Sequence, residues 1–184
     1  MEAWTDLYQE IAQRINDKLP DIAWVDLWHE QIQFLTEELP FPTPAVFIAF
    51  NTTSCSDKGL LIQNCEIQVD MYLFYETFSD TYQGSYNQGS AIDYLRTLTK
   101  LHSIFHGISG TNFNSMRRID MKREDSGDAG NLYRISFSCI VEDSSAMAEY
   151  EQQEVTETII DNSSAPIGRQ PSIDTAPLFM IETV

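Results

Sequence analysis

His102 and His106 are the two residues of this chain whose type and spacing come closest to a chemical site. A separation of four places both imidazoles on one face of a helix, as a zinc site requires. Between them stand Ser103, Ile104 and Phe105, so the glutamate that follows the first histidine in a metalloprotease helix is missing, and no third ligand is evident. The expectation is no metal, with His102 partly buried and His106 near a helix C-terminus, where the dipole tolerates positive charge.

Gly84-Ser-Tyr-Asn-Gln-Gly89 precedes a predicted helix and would offer backbone N–H groups to a phosphate. It has neither the lysine of a P-loop nor the glycine spacing of a dinucleotide fingerprint, and reads as a flexible loop ending in a cap. Adjacent acids such as Glu37-Glu38 and Glu124-Asp125 are what a chain with 28 acidic residues produces by chance. No Gly-x-Ser-x-Gly elbow marks a nucleophile. Cys55, Cys65 and Cys139 are odd in number and contain no Cys-x-x-Cys pair, so they read as small apolar residues rather than disulfide or zinc partners. No catalytic residue, cofactor or metal is expected, and the chain is not expected to be an enzyme.

At 184 residues the chain suffices for one α/β core, and its 42% hydrophobic and 11% aromatic content can fill it. The formal charge of -17 opposes non-specific attraction to phosphate backbones. The N-terminus lacks the basic and apolar regions of a secretory signal, and no apolar run approaches the roughly 18 residues of a membrane span. A soluble protein made in a cytoplasm, with no membrane partner, is the expectation.

The elements that must position these residues follow from periodicity. Trp4, Leu7, Tyr8, Ile11, Ile15 and Leu19 recur at helical spacing, and Pro20 ends the helix. A short strand is predicted from Trp24 to Trp28, then an ambiguous edge strand or loop from Gln31 to Leu39. Ala45 to Phe50 reads as a buried strand. A polar turn is predicted through Ser54, Asp57 and Gly59. Cys65, Ile67, Val69, Met71, Leu73 and Tyr75 alternate with Glu66, Gln68 and Asp70 as a half-buried strand. Ser90 is the predicted cap of a second helix whose stripe is Ile92, Leu95, Leu98, Leu101, His102, Phe105 and Ile108, stopped by Gly107 or Gly110. Asn114 to Glu124 and Leu132 to Glu142 form a predicted hairpin. The fold class is α+β: a mixed or antiparallel sheet of about five strands on two helices, with an extended C-terminal arm. Residues 1–143 form the domain and 144–184 the acidic arm.

Arg117, Arg118, Lys122, Arg123 and Arg134 concentrate the basic charge on that hairpin, whereas beyond Asp143 only Arg169 is basic. The strip is either a solvated edge that discourages sheet-to-sheet pairing or a docking strip for an acidic segment such as the arm itself. In the arm, the more apolar patches Val155 to Ile160 and Leu178 to Ile181 could add strands to a sheet edge, with Val155, Ile159, Leu178, Phe179 and Ile181 as contact residues. Tyr82 and Tyr86 are further interface candidates, since tyrosine gives large contact area at modest entropy cost.

The order helix, three strands, helix, two-strand hairpin resembles the tail-terminator, or tail-completion, proteins of long-tailed bacteriophages. The likeness is carried by Ile11 to Leu19 followed by the Ile22 to Trp28 strand, by Glu38-Leu-Pro-Phe-Pro-Thr-Pro-Ala-Val-Phe-Ile48, and by the helix end from Leu95 to Gly110. It spans about Met1 to Ser144 and leaves the arm outside. The resemblance implies a non-enzymatic virion subunit that closes into a ring, usually a hexamer, caps the tail tube and joins it to the head connector or stopper protein. DNA would pass its lumen without specific binding. The implied location is the tail-head junction, after assembly in the host cytoplasm. Another neck subunit and a cytoplasmic monomeric binding module are the alternatives.

Overall fold

The computed structural model describes residues 2–34, 41–76, 80–127 and 130–151. Helix α1, Ala3–Lys18, buries Ala3, Leu7, Ile11 and Ile15 along one stripe, with Asp6 in its first turn and Lys18 in its last, each suited to the local helix dipole. Trp4, expected on that stripe, is largely exposed and its ring lies 5.9 Å from Phe50. Strand β1, Trp24–Leu27, follows, and a 3-10 turn at Gln31–Phe34 occupies the start of the segment that read as edge strand or loop.

Strands β2, Ala45–Gly59, and β3, Ile62–Tyr75, form one long antiparallel hairpin. Helix α2 spans Gln88–Phe105, strands β4 and β5 span Arg117–Glu124 and Asn131–Asp143, and a short helix α3 covers Ser145–Glu151. The sheet order is β1-β2-β3-β5-β4, with β1 parallel to β2 and every other pairing antiparallel. The architecture is therefore the expected α+β arrangement, a five-stranded mixed sheet with helices.

Alternation decides which face is covered, because successive strand residues point to opposite sides. Val46 and Ile48 of β2, Ile67, Val69, Met71 and Leu73 of β3, and Ile135, Phe137 and Val141 of β5 pack with the stripes of α1 and α2. A smaller cluster of Ile32, Ala45, Phe47, Phe74 and Leu132 covers one end of the opposite face, joined by Trp28, Phe41 and Tyr72. The rest of that face carries the polar residues of β3, β4 and β5.

The structure departs from the sequence expectations at three places. No turn occurs at Ser54, Asp57 or Gly59: β2 runs through all three, paired to β3, and the reversal is at Leu60-Leu61. Polar composition there reflects a strand exposed on both faces. Second, α2 begins at Gln88, ahead of the expected Ser90 cap, and Asn87 precedes it with its side chain bound to Asp80. Ile92 and Leu95 are exposed, because Tyr94 takes the buried position and packs edge-on against Tyr75 and Tyr133. Third, the chain just after Asp143 is helical in α3 rather than extended. Residues 152–184 of the arm lie outside the described residues. No described helix is long and apolar enough to cross a membrane.

Candidate functional site

The basic hairpin forms, but pairing divides its cations between two faces. Lys122 stands opposite Arg134 and Arg117 opposite Ser138, on the face away from the helices. Arg123 stands opposite Tyr133 and Arg118 opposite Phe137, on the helix side, with a register shift between Arg118 and Asp120. The five residues that read as one strip are thus two groups.

Arg134 is also not free to meet an external anion. Its Nε donates to Glu124 Oε1 at 2.7 Å, Nη1 lies 3.3 Å from Asp70 Oδ1, and Nη2 lies 3.4 Å from Asp120 Oδ2. Asp70 accepts further bonds from Asn51 Nδ2 at 3.1 Å, Gln68 Nε2 at 3.0 Å and the Ser136 hydroxyl. Burial works against the Arg134 cation, but the Glu124 bond and the charges of Asp70 and Glu124 outweigh it and hold its pKa above the ordinary value. Lys122 pairs with Glu124 at 3.3 Å. Among the described residues no carboxylate pairs with Arg117, Arg118 or Arg123, and all three are exposed.

Tyr82 and Tyr86 lie in the loop before α2, Tyr86 at 96% exposure, so both are available to a partner. Tyr75, at the end of β3, is partly buried against the core. Gly84 of the same loop has φ +88, and its N–H donates to Gln88 Oε1 at 2.8 Å, so one of the N–H groups considered for phosphate is already bonded. Val155, Ile159, Leu178, Phe179 and Ile181 lie outside the described residues, as does Glu37-Glu38.

His102 and His106 do come together, with ring centroids 4.8 Å apart. His102 is stacked over Phe137 at 6.4 Å, and its Nδ1 is buried without a hydrogen-bond partner. Desolvation, then the charges of Arg118 and His106, lower its pKa below the usual histidine value. The Arg118 N–H donates to His106 Nδ1 at 3.1 Å, which occupies one of the nitrogens a metal would need. Among the described residues, no group of three or more His, Cys, Asp or Glu side chains is placed to hold a metal.

Two features had no counterpart in the sequence reading. The Sγ atoms of Cys55 and Cys65 lie 2.7 Å apart across the β2–β3 hairpin. Their roughly symmetric placement about Leu60-Leu61 would have signalled this, had the turn been located there. The second is the sheet's edges. β1 pairs only with Ala45 to Ile48, so among the described residues Asn51–Gly59 has no strand on its outer side, and β4 is likewise an outer strand. No family model matches the chain, and no curated protein matches it.

Proposed function

We propose that this chain is a structural virion subunit of a long-tailed bacteriophage, closing into a homo-oligomeric ring that terminates the tail tube and joins it to the head connector. The observation that carries the reading is a pair of sheet edges that have no outer strand among the described residues, on a sheet built with the expected element order. They are the distal half of β2, and β4 apart from the Arg118 and Met121 N–H groups, which bond to the His106 and Asp120 side chains. Uncovered edges present unpaired backbone N–H and C=O groups, which another strand can satisfy. Because the two edges differ, a contact joining one to the other is heterologous, and such contacts make a ring when the rotation closes.

The exposed cations of β4 add register to that contact, while the Arg134 cluster stiffens the strands behind it. Tube growth stops when the ring covers the last tube ring and presents a different surface to the connector. The net charge of -17 would keep passing DNA from adhering to the lumen. The arm, 144–184, would reach a neighbouring subunit.

Electron microscopy and sedimentation of the purified full chain, alone and with polymerised tail tubes, test the reading. Closed sixfold rings that cap tube ends, and labelled copies at the tail-head junction of virions, are the expected result. A protein that stays monomeric with and without tubes would instead favour the binding-module alternative, and copies located only above the junction would favour another neck subunit.

A further inference from the structure

Cys55 on β2 and Cys65 on β3 occupy directly opposed positions of the hairpin, and 2.7 Å separates their sulfurs. A disulfide requires about 2.05 Å, with its two Cα atoms about 4.4–6.8 Å apart, which is the spacing of directly paired antiparallel residues. Bridging the pair therefore needs a small sulfur movement and no change of register. The two thiols differ in access. Cys55 is exposed, whereas Cys65 is buried in the main core, where desolvation, and then the neighbouring Cys55 sulfur, push its thiol up to about 11.

The third cysteine is placed apart from this pair. Cys139 is on β5 opposite Ile67, while the residue opposite Cys65 is Val141. Its own burial pushes it up to about 11 as well. An odd count is thus compatible with one bridge and one inert thiol.

We propose that Cys55 and Cys65 form a redox modification site, in which a small-molecule disulfide such as glutathione disulfide converts the two thiols into a cross-strand bridge while Cys139 stays reduced. The exposed Cys55 loses its proton to solvent, and its thiolate attacks one sulfur of the oxidant, forming a mixed disulfide and releasing one glutathione thiolate. Cys65 then gives up its proton and attacks the Cys55 sulfur. The Cys55–Cys65 bond forms and the second glutathione leaves as thiolate. Two protein thiols are oxidised, one external disulfide is reduced to two thiols, and the released protons go to solvent and the leaving thiolates. The product pins the hairpin between the register shift at Thr52/Ser54 and the Leu60-Leu61 reversal.

The full folded chain, equilibrated in glutathione buffers of increasing oxidising poise, acid-quenched, alkylated after denaturation and mapped by peptide mass spectrometry, tests the site. The expected result is a peptide joining Cys55 to Cys65 with Cys139 alkylated, and slower amide exchange in the hairpin of the bridged form. Cys55→Ser should leave Cys65 and Cys139 reduced across the whole series, and Cys65→Ser should retain glutathione on Cys55. If Cys65→Ser does not fold, the wild-type map and Cys55→Ser decide. A stable glutathione adduct on wild-type Cys55, a bridge to Cys139 or to a second copy, or no oxidation at the most oxidising poise overturns the proposal.

Discussion

Arg134 reaches from β5 to Asp70 on β3, with Nη1 3.3 Å from Oδ1, and the Asp70 side chain it meets is only 3% exposed. A carboxylate so buried needs its cation, because the desolvation cost falls on whichever charge is left alone. Arg134→Met is therefore expected to destabilise the fold by about 3–5 kcal/mol. Adding Asp70→Asn to that variant should recover a large part of the loss. Urea unfolding of both single variants and the double variant checks this, and strictly additive effects would mean that the two charges are not coupled.

His102 predicts a pH dependence of defined sign. Its folded-state pKa is lowered by desolvation and then by Arg118 and His106, so between the folded value and the ordinary 6.5 the unfolded chain binds more protons. Its contribution to stability is complete above 6.5 and is lost as pH falls through 6.5 towards the folded value. His102→Leu should cost stability at pH 8, where the Phe137 stack is lost, yet show a shallower decline on acidification than wild type. Parallel pH profiles for the two proteins would rule this out.

Two glycines after α2 separate space from conformation. A Cβ on Gly110 would lie 1.9 Å from Phe113 Cε1, and the Phe113 ring is buried in the core, so it must be displaced against its packing. A Cβ on Gly107, at φ +81, would meet nothing, so only its backbone is strained. Gly107→Ala should cost about 1–2 kcal/mol. Gly110→Ala should cost more, up to about 3 kcal/mol as the ring is displaced. Thermal unfolding of both variants gives the order, and the reverse order would show that the ring relocates freely.

Much of the fold was legible because periodicity reports burial. The alternation of β3 and the stripe of α1 each face one packed surface, so Cys65 to Leu73 and Leu7 to Ile15 declare themselves. The distal half of β2 has no packed face, and its polar residues from Asn51 to Gly59 imitate a turn. Arg134 and Asp70 were both read as polar and solvent-facing, since charge in a sequence does not reveal the cross-strand partner that lets it be buried. Ile92 and Leu95 misled for the opposite reason: apolar residues need not be inside, and Tyr94 has the larger ring to bury. Register across strands, which no single segment encodes, separates what could be read from what could not.

The β2–β3 hairpin reverses at Leu60-Leu61. Leu61 sits at φ +64, a left-handed conformation that costs a leucine about 1–2 kcal/mol, where an asparagine-glycine pair would reverse the chain without that strain. Leu60 beside it is 86% exposed. The strain at half-buried Leu61 weakens the isolated subunit, and the exposed Leu60 beside it makes sense where the tip meets a neighbour. Leu61→Gly should raise the stability of the monomer by about 0.5–1 kcal/mol, the relief being reduced by the greater freedom of glycine in the unfolded chain. Leu60→Ser should leave monomer stability within about 0.5 kcal/mol of wild type. If the tip is a contact in the proposed ring, the same substitution should weaken assembly by roughly tenfold, the loss of one buried anchor. Thermal unfolding at low concentration and sedimentation at high concentration separate the two effects. Unchanged assembly of Leu60→Ser would remove the tip from the contact and leave the uncovered strand edges as its remaining basis.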